Sequence, residues 1–211
     1  MLELSGLVAG YGRRALAKLG HLQVKDGEAA LLTGPSGAGK TTLLLAIAGL
    51  ADVLEGHVQV AGRDMATLPA RERDRHRGRH IGTIFQDLHL VPGLSALDNL
   101  LLAPFASGQR QDRARATELL TRLGLADRVH AGAETLSRGE AQRTAIARAM
   151  LIGPSLILAD EPTASLDDES CETVLALLLD ATRESGAALV IATHDSRVKA
   201  RVSNIALVVA A

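Results

Sequence analysis

Cysteine is almost missing from this chain: Cys171 is the only one in 211 residues. No disulfide can therefore form within the chain, which fits a reducing compartment. Cys171 sits in a stretch of helical composition, where a structural thiol is favoured over a reactive one. Long apolar runs are missing too. Residues 43–51 and 205–211 are the most apolar stretches, far short of the roughly 18 residues a membrane span needs. The start, Met1-Leu2-Glu3-Leu4-Ser5, lacks the basic opening and apolar run of a secretory leader. The chain is expected to work in the cytoplasm and to reach any membrane process through a partner. An excess of either charge is also missing: 23 Lys and Arg face 24 Asp and Glu, so no overall basic field points to nucleic acid. Arg71, Arg73, Arg75, Arg77 and Arg79 alternate with Glu72, Asp74 and His76. The interleaved acids and the lack of aromatic stacking partners favour a solvated helix face over a nucleic-acid patch.

What is present is ordinary for a globular protein: 47% hydrophobic and 22% charged residues, which argues against disorder as the main state. The length suits one well-buried core with at most a small subdomain. Residues 29–33, 155–159 and 188–192 are short apolar runs that read as strands buried on both faces, as in a parallel sheet. Residues 41–50 and 171–184 read as helices between them, which gives an α/β core. Residues 2–24, with 57–62, read as antiparallel strands joined by turns at Gly6, Gly10, Gly12 and Gly62. Residues from about 87 to 146 read as a mostly helical insertion. Residues 205–209 read as a last strand, with no regulatory domain expected after it.

Gly34-Pro35-Ser36-Gly37-Ala38-Gly39-Lys40-Thr41 matches the phosphate-binding P-loop pattern, with an apolar strand before it and a helix after it. Glycines let backbone N–H groups converge on a phosphate without side-chain clash. The helix N-terminus adds unsatisfied donors. Lys40 can reach the β- and γ-phosphates, and the Thr41 hydroxyl can ligate Mg²⁺. Thr42 is counted with the same binding set. A chance glycine-rich turn is the alternative, weakened by the flanking strand and helix. The loop alone does not separate a kinase from a GTPase or a motor.

The apolar run at 156–159 leads into Asp160-Glu161-Pro162-Thr163. Acids at the carboxyl end of a buried strand face the place where open α/β sheets bind ligands. Asp160 is suited to Mg²⁺ and Glu161 to polarising the water that attacks the γ-phosphorus. A surface turn or helix cap is the alternative.

Two further motifs narrow the class. Leu136-Ser137-Arg138-Gly139-Glu140 precedes a helical run, and Thr193-His194-Asp195 follows the strand ending at Ala192. Together with the P-loop, the acidic strand end and Ser165-Leu166-Asp167, they resemble the ABC ATPase family over residues 2–208. The resemblance implies a P-loop NTPase core with a mostly parallel sheet, an N-terminal antiparallel β subdomain and an inserted helical subdomain. It implies one domain over 1–211, with 1–86 and 150–211 as core and 87–149 as the helical insertion. Tyr11 would stack on adenine, a core tyrosine being the alternative. Gln86 would reach Mg²⁺ and the attacking water. His194 would sense the γ-phosphate beside Glu161. Lys40 joins Gln86, Glu161 and His194 as catalytic, and Thr41, Gln86 and Asp160 make the metal set. Ser137, Arg138, Gly139 and Glu140 would close over ATP held by a second copy, which Asp167 would also contact. Two copies would thus pair around ATP with two-fold symmetry.

Arg138 departs from the family, whose signature most often has glycine there; Gly139 is expected to preserve the close backbone approach. The leucine-rich stretch 87–100 is expected to share its residues between core packing and a groove for a membrane-spanning permease subunit. With the short chain, it resembles the branch of lipoprotein-release, macrolide-export and cell-division subunits. The resemblance therefore implies an ATP-hydrolysing transporter subunit, peripheral on the inner face of the cell membrane, with no direct nucleic-acid partner. A soluble ABC ATPase working in cell division or on nucleic acid or ribosomes is the main alternative. A P-loop kinase and a non-hydrolysing scaffold are the others.

Overall fold

A computed structural model describes residues 1–164 and 166–211. Ser165, and with it part of the Ser165-Leu166-Asp167 motif, lies outside the described residues.

Two sheets are built by different sequence patterns. In the N-terminal sheet, β1 (Leu2–Tyr11) pairs antiparallel with β2 (Arg14–Val24) and β4 (Asp52–Val60). The second sheet is parallel. It contains β3 (Ala29–Thr33), β6 (Ile81–Ile84), β7 (Leu156–Asp160), β8 (Ala188–Ala192) and β9 (Asn204–Leu207), in the order β6-β7-β8-β3-β9. Its central strands β7, β8 and β3 are almost wholly apolar because both faces are covered, whereas the edge strand β9 leaves Ile205 and Leu207 exposed. Leu156, Leu158, Ala188, Val190 and Leu32 point into one core with the antiparallel sheet and α1 (Lys40–Ile47). Ile157, Ala159, Leu189, Ile191 and Leu31 point the other way. There they meet the apolar faces of α3 (Ala96–Ala106), α4 (Arg113–Arg122), α5 (Arg138–Leu151) and α6 (Asp168–Ser185).

Polar caps set where these helices begin. Ser95, Asp112, Ser137 and Asp167 each accept a backbone N–H in the first turn of the helix that follows. Helix α1 starts differently: its N-cap is Gly39, in the left-handed region, with no side-chain cap.

The expected turns need correction. Gly12 does reverse β1 into β2, and Gly62 links β4 to the two-residue β5 (Arg63–Asp64). Gly6 and Gly10, however, lie inside β1, at or beside places where its pairing register shifts. Gly6 has φ +58, and a Cβ on the facing Gly56 would lie 2.3 Å from the Gly6 carbonyl oxygen. Two backbones approach there, and the chain bulges without turning back. The single last strand expected over 205–209 is two. β9 pairs with β3 in the parallel sheet, and β10 (Val209–Ala210) pairs with β2 in the other. Between them the Val208 N–H donates to the Thr33 carbonyl at 2.8 Å. The arginine-rich stretch is a helix, α2 (Ala70–His80), with Arg71, Arg75 and Arg79 exposed and Arg73 and Arg77 half-buried. His76 is its exception: buried, with Nε2 2.8 Å from the Val60 carbonyl oxygen.

Candidate active site

Parallel strands deliver their carboxyl ends to one edge. In the order β6, β7, β8, β3, that edge carries Gln86, then Asp160 and Glu161, then His194, then the loop 34–39. Neighbouring strands are about 4.8 Å apart, so the set spans roughly 15 Å, on the scale of a nucleotide's phosphate chain and its attacking water.

The loop between β3 and α1 is shaped by its glycines. Gly37 and Gly39 have φ +78 and +86. A Cβ on Gly39 would sit 2.5 Å from the Ala17 Cβ, so this position is closed to larger residues both by conformation and by space. Pro35, Ser36 and Gly37 are exposed, while Ala38 anchors the loop in the core. The uncapped first turn of α1 leaves backbone donors for an anion. Lys40 is 8% exposed, and its Nζ donates to the carbonyls of Gly34 (3.1 Å) and Pro35 (3.2 Å). Thr41 and Thr42 follow it in the same first turn.

Asp160 is buried at the end of β7 with the Thr41 hydroxyl beside it. Desolvation pushes its carboxyl above the ordinary range and the neighbouring Glu161 adds to this; the Thr41 hydroxyl and Lys40 charge oppose it. The next residue, Glu161, has φ +46, a conformation that costs a non-glycine residue about 1–3 kcal/mol. Its N–H donates to the Ala192 carbonyl at 2.8 Å. Its carboxylate accepts from the Thr193 hydroxyl at 2.7 Å and faces His194 Nδ1 at 2.7 Å. The carboxylate is thus aimed by residues that follow a different strand. The Glu161 side chain is 13% exposed and that of His194 75%, so the imidazole's far nitrogen stands toward solvent.

Among the described residues, the remaining candidates make no hydrogen bond to the Glu161–His194 pair. Gln86 is exposed two residues beyond β6. Tyr11 ends β1 on the other sheet, 50% exposed, which rules out the core-tyrosine reading. Ser137 caps α5 in a reciprocal box: its Oγ accepts from the Glu140 N–H, and Glu140 accepts from the Ser137 N–H at 2.7 Å. That backbone bond first, and Arg128 second, hold the Glu140 carboxyl below its ordinary range. Arg138 Nη2 donates to the Ala164 carbonyl at 3.3 Å. Gly139 follows in the same first turn. Asp167 caps α6 through Ser170, which keeps its carboxyl below the usual range. Among the described residues, no hydrogen bond joins 137–140 to the loop 34–41.

Sequence reasoning missed the bracing behind the site. Thr193, fully buried, serves both Glu161 and the Asp195 N–H. The strand ending in polar residues was the available signal, but pairings between strand ends need the sheet order.

The family model described as ABC transporter matches residues 18–164. The chain belongs to the ABC transporter family. It is an ATP-binding, ATP-hydrolysing subunit of that family. It is 41% identical over 209 residues to the lipoprotein-releasing system ATP-binding protein LolD 2 of Rhodospirillum rubrum, covering 95% of this chain and 90% of that protein. It is 44% identical over 177 residues to LolD 1 of Rhodopirellula baltica, covering 83% of this chain and 77% of that one. Among solved structures, it resembles the dimeric structure of MJ0796, a bacterial ABC transporter cassette. The TM-score is 0.84 at 32% identity, over 98% of this chain and 94% of that one. It also resembles the dimeric post-hydrolysis state of that ATP-binding cassette bound to ADP and Pi. There the TM-score is 0.80 at 33% identity, over 94% and 90% of the two chains. This α/β cassette fold, with one parallel and one antiparallel sheet, agrees with the architecture expected from the sequence. No helix among the described residues is long and apolar enough to cross a membrane.

Proposed function

We propose that two copies of this chain close on two ATP molecules and drive a separate membrane-spanning permease of the lipoprotein-release type. In this reading the loop 34–39 and the first turn of α1, including Thr42, hold the phosphates. Lys40 exchanges its carbonyl partners for phosphate oxygens. Tyr11 lies under the adenine. Ser137, Arg138, Gly139 and Glu140 of one copy cover the nucleotide of the other, and Asp167 touches the opposite copy. Residues 1–86 and 150–211 form the nucleotide-binding core, and 87–149 the helical insertion.

Asp160 and Thr41 fit Mg²⁺. A buried carboxylate whose desolvation calls for a cation, beside a hydroxyl, is a hard-oxygen donor set. Gln86 completes it from the end of β6. When bound, Mg²⁺ neutralises charge on the phosphate oxygens. Glu161 accepts a proton from the attacking water as its oxygen bonds to the γ-phosphorus. The bond from that phosphorus to the β–γ bridging oxygen breaks, leaving ADP and phosphate. His194 orients Glu161 through Nδ1 and presents its other nitrogen to the γ-phosphate.

The permease face is the hollow between β6, α3 and α5, lined by Phe85, His89, Leu102, Ala103 and Ile152. Beside it, Leu97 and Leu100 are core residues, whereas Leu88, Leu90 and Leu94 are only half-buried. Binding there places the chain on the inner face of the cell membrane. The LolD relatives support that class of partner.

The carrying observation is the Glu161 carboxylate, fixed at 2.7 Å by Thr193 and His194 beside the phosphate loop. Glu161→Gln is expected to lower turnover by at least about a hundredfold, with ATP binding retained and a trapped pair of copies. Phosphate release and light scattering with saturating ATP measure both. Unchanged turnover would exclude Glu161 as the base.

A further inference from the structure

Behind the Glu161–His194 pair lies a guanidinium that the reaction scheme does not use. Asp195 directly follows His194 and caps α7 (Ser196–Lys199). Arg197 closes on it: Nε lies 3.0 and 3.1 Å from the two Asp195 carboxylate oxygens, and Nη2 2.7 Å from Oδ2. Its remaining nitrogen, Nη1, reaches the other way, to Asp168 Oδ1 at 2.7 Å and the Leu166 carbonyl at 3.4 Å. Thr163, fully buried, donates to the same Asp195 oxygen at 3.0 Å. One planar side chain therefore spans two segments. One carries His194. The other begins just after Glu161 and includes Asp167.

The two limbs differ in weight. The Asp168 side chain is 93% exposed, so water competes for that ion pair and it contributes little alone. The Asp195 side chain is 14% exposed, where a forked, charge-assisted contact is stronger and directional. Hydrogen bonding to Arg197 is the main cause holding the Asp195 carboxyl down to about 2.

We propose that Arg197 is a positioning residue for ATP hydrolysis: by gripping Asp195 together with Leu166 and Asp168, it keeps His194 and Glu161 in register with the segment that meets the second copy. The proposal rests on the dimer reading given above. It adds to it a named link, within each copy, between the hydrolytic pair and the copy–copy contact. A lysine can replace the charge but not the fork, because an ammonium is a compact point charge that cannot bridge both segments in one plane.

The test separates this role from simple support of the fold. With Arg197→Ala, kcat at saturating ATP is expected to fall about tenfold, and the KM for ATP to rise in step with the weaker pairing of copies. In a Glu161→Gln background, Arg197→Ala is expected to raise the ATP concentration needed to pair two copies by about tenfold. Titration of the unpaired chain with a fluorescent ATP analogue should stay unchanged. Arg197→Lys, usable if the alanine variant does not fold, is expected to retain only a third or so of wild-type kcat. Wild-type kcat in the variants, even with a lower melting temperature, would overturn the proposal. So would loss of nucleotide binding by the unpaired chain, which would mean that Arg197 supports the phosphate loop instead. If Glu161→Gln alone retained turnover, the underlying site reading would fail, whatever Arg197 did.

Discussion

Polar groups at the carboxyl edge of the parallel sheet and at the start of α5 are satisfied in opposite ways. On the sheet edge, partners come from distant parts of the chain: Glu161 after β7 is held by Thr193 and His194 after β8. At the start of α5, the partners of Ser137 and Glu140 are each other, with Arg128 close in sequence. The edge can hold its geometry only if the whole sheet is assembled. At the helix start Ser137 and Glu140 keep their geometry locally, and only Arg138 reaches a distant group, the Ala164 carbonyl. A group that must be aimed at a water molecule is built by tertiary bracing, while a surface offered to another copy is built to be rigid by itself.

The largest effect that tests this contrast is expected from Thr193→Val, which removes one hydroxyl from the bracing with little change of shape. It leaves a Glu161 oxygen and the Asp195 N–H short of a partner. Turnover should fall by about tenfold or more, and urea unfolding should show a loss of about 1–3 kcal/mol. Wild-type turnover would mean that the edge does not depend on its cross-strand brace. A smaller effect is expected from Ser137→Ala. It removes the α5 cap and should cost about 1 kcal/mol of stability in the unpaired chain, leaving ATP binding by that chain unchanged in a nucleotide titration. If binding fell too, the two regions would not be independent. The smallest effect concerns acid. Because Asp195 is held at about 2, below its ordinary 3.8, its ion pair contributes fully above about pH 4. That contribution should be lost as pH falls towards 2. Arg197→Ala should flatten this part of a stability–pH curve measured by denaturant unfolding.

The same contrast explains what could be read from the sequence. Strands β3, β7 and β8 were legible because burial on both faces leaves unbroken apolar runs, and their polar ends marked the ligand edge; the short β6, Ile81-Gly82-Thr83-Ile84, was not legible as a strand. Asp160 and Glu161 were marked that way, Lys40 by the P-loop pattern, and His194 by the resemblance to the family. The stretch 136–140 was visible as a motif, though its capping box at Ser137 and Glu140 came only with the structure. Features that depend on pairing between distant segments were not visible. Gly6 and Gly10 look like turn residues until β4 and β2 are laid beside them as partners. The division of the final strand depends on two different sheets being in reach. His76 is hidden in a helix whose arginines dominate its pattern. Arg197 carries no signal by itself, since its meaning comes from Leu166 and Asp168 across space.

The peptide at Val208 stands between the two sheets, and its carbonyl also backs the phosphate loop: a Cβ on Gly34 would come within 2.7 Å of that oxygen. Peeling residues 204–210 away from their neighbours would therefore remove the wall behind the loop. Such local opening needs less free energy than melting the core. Nucleotide affinity is then expected to fade on warming while the helices are still intact, a loss of grip ahead of any loss of shape.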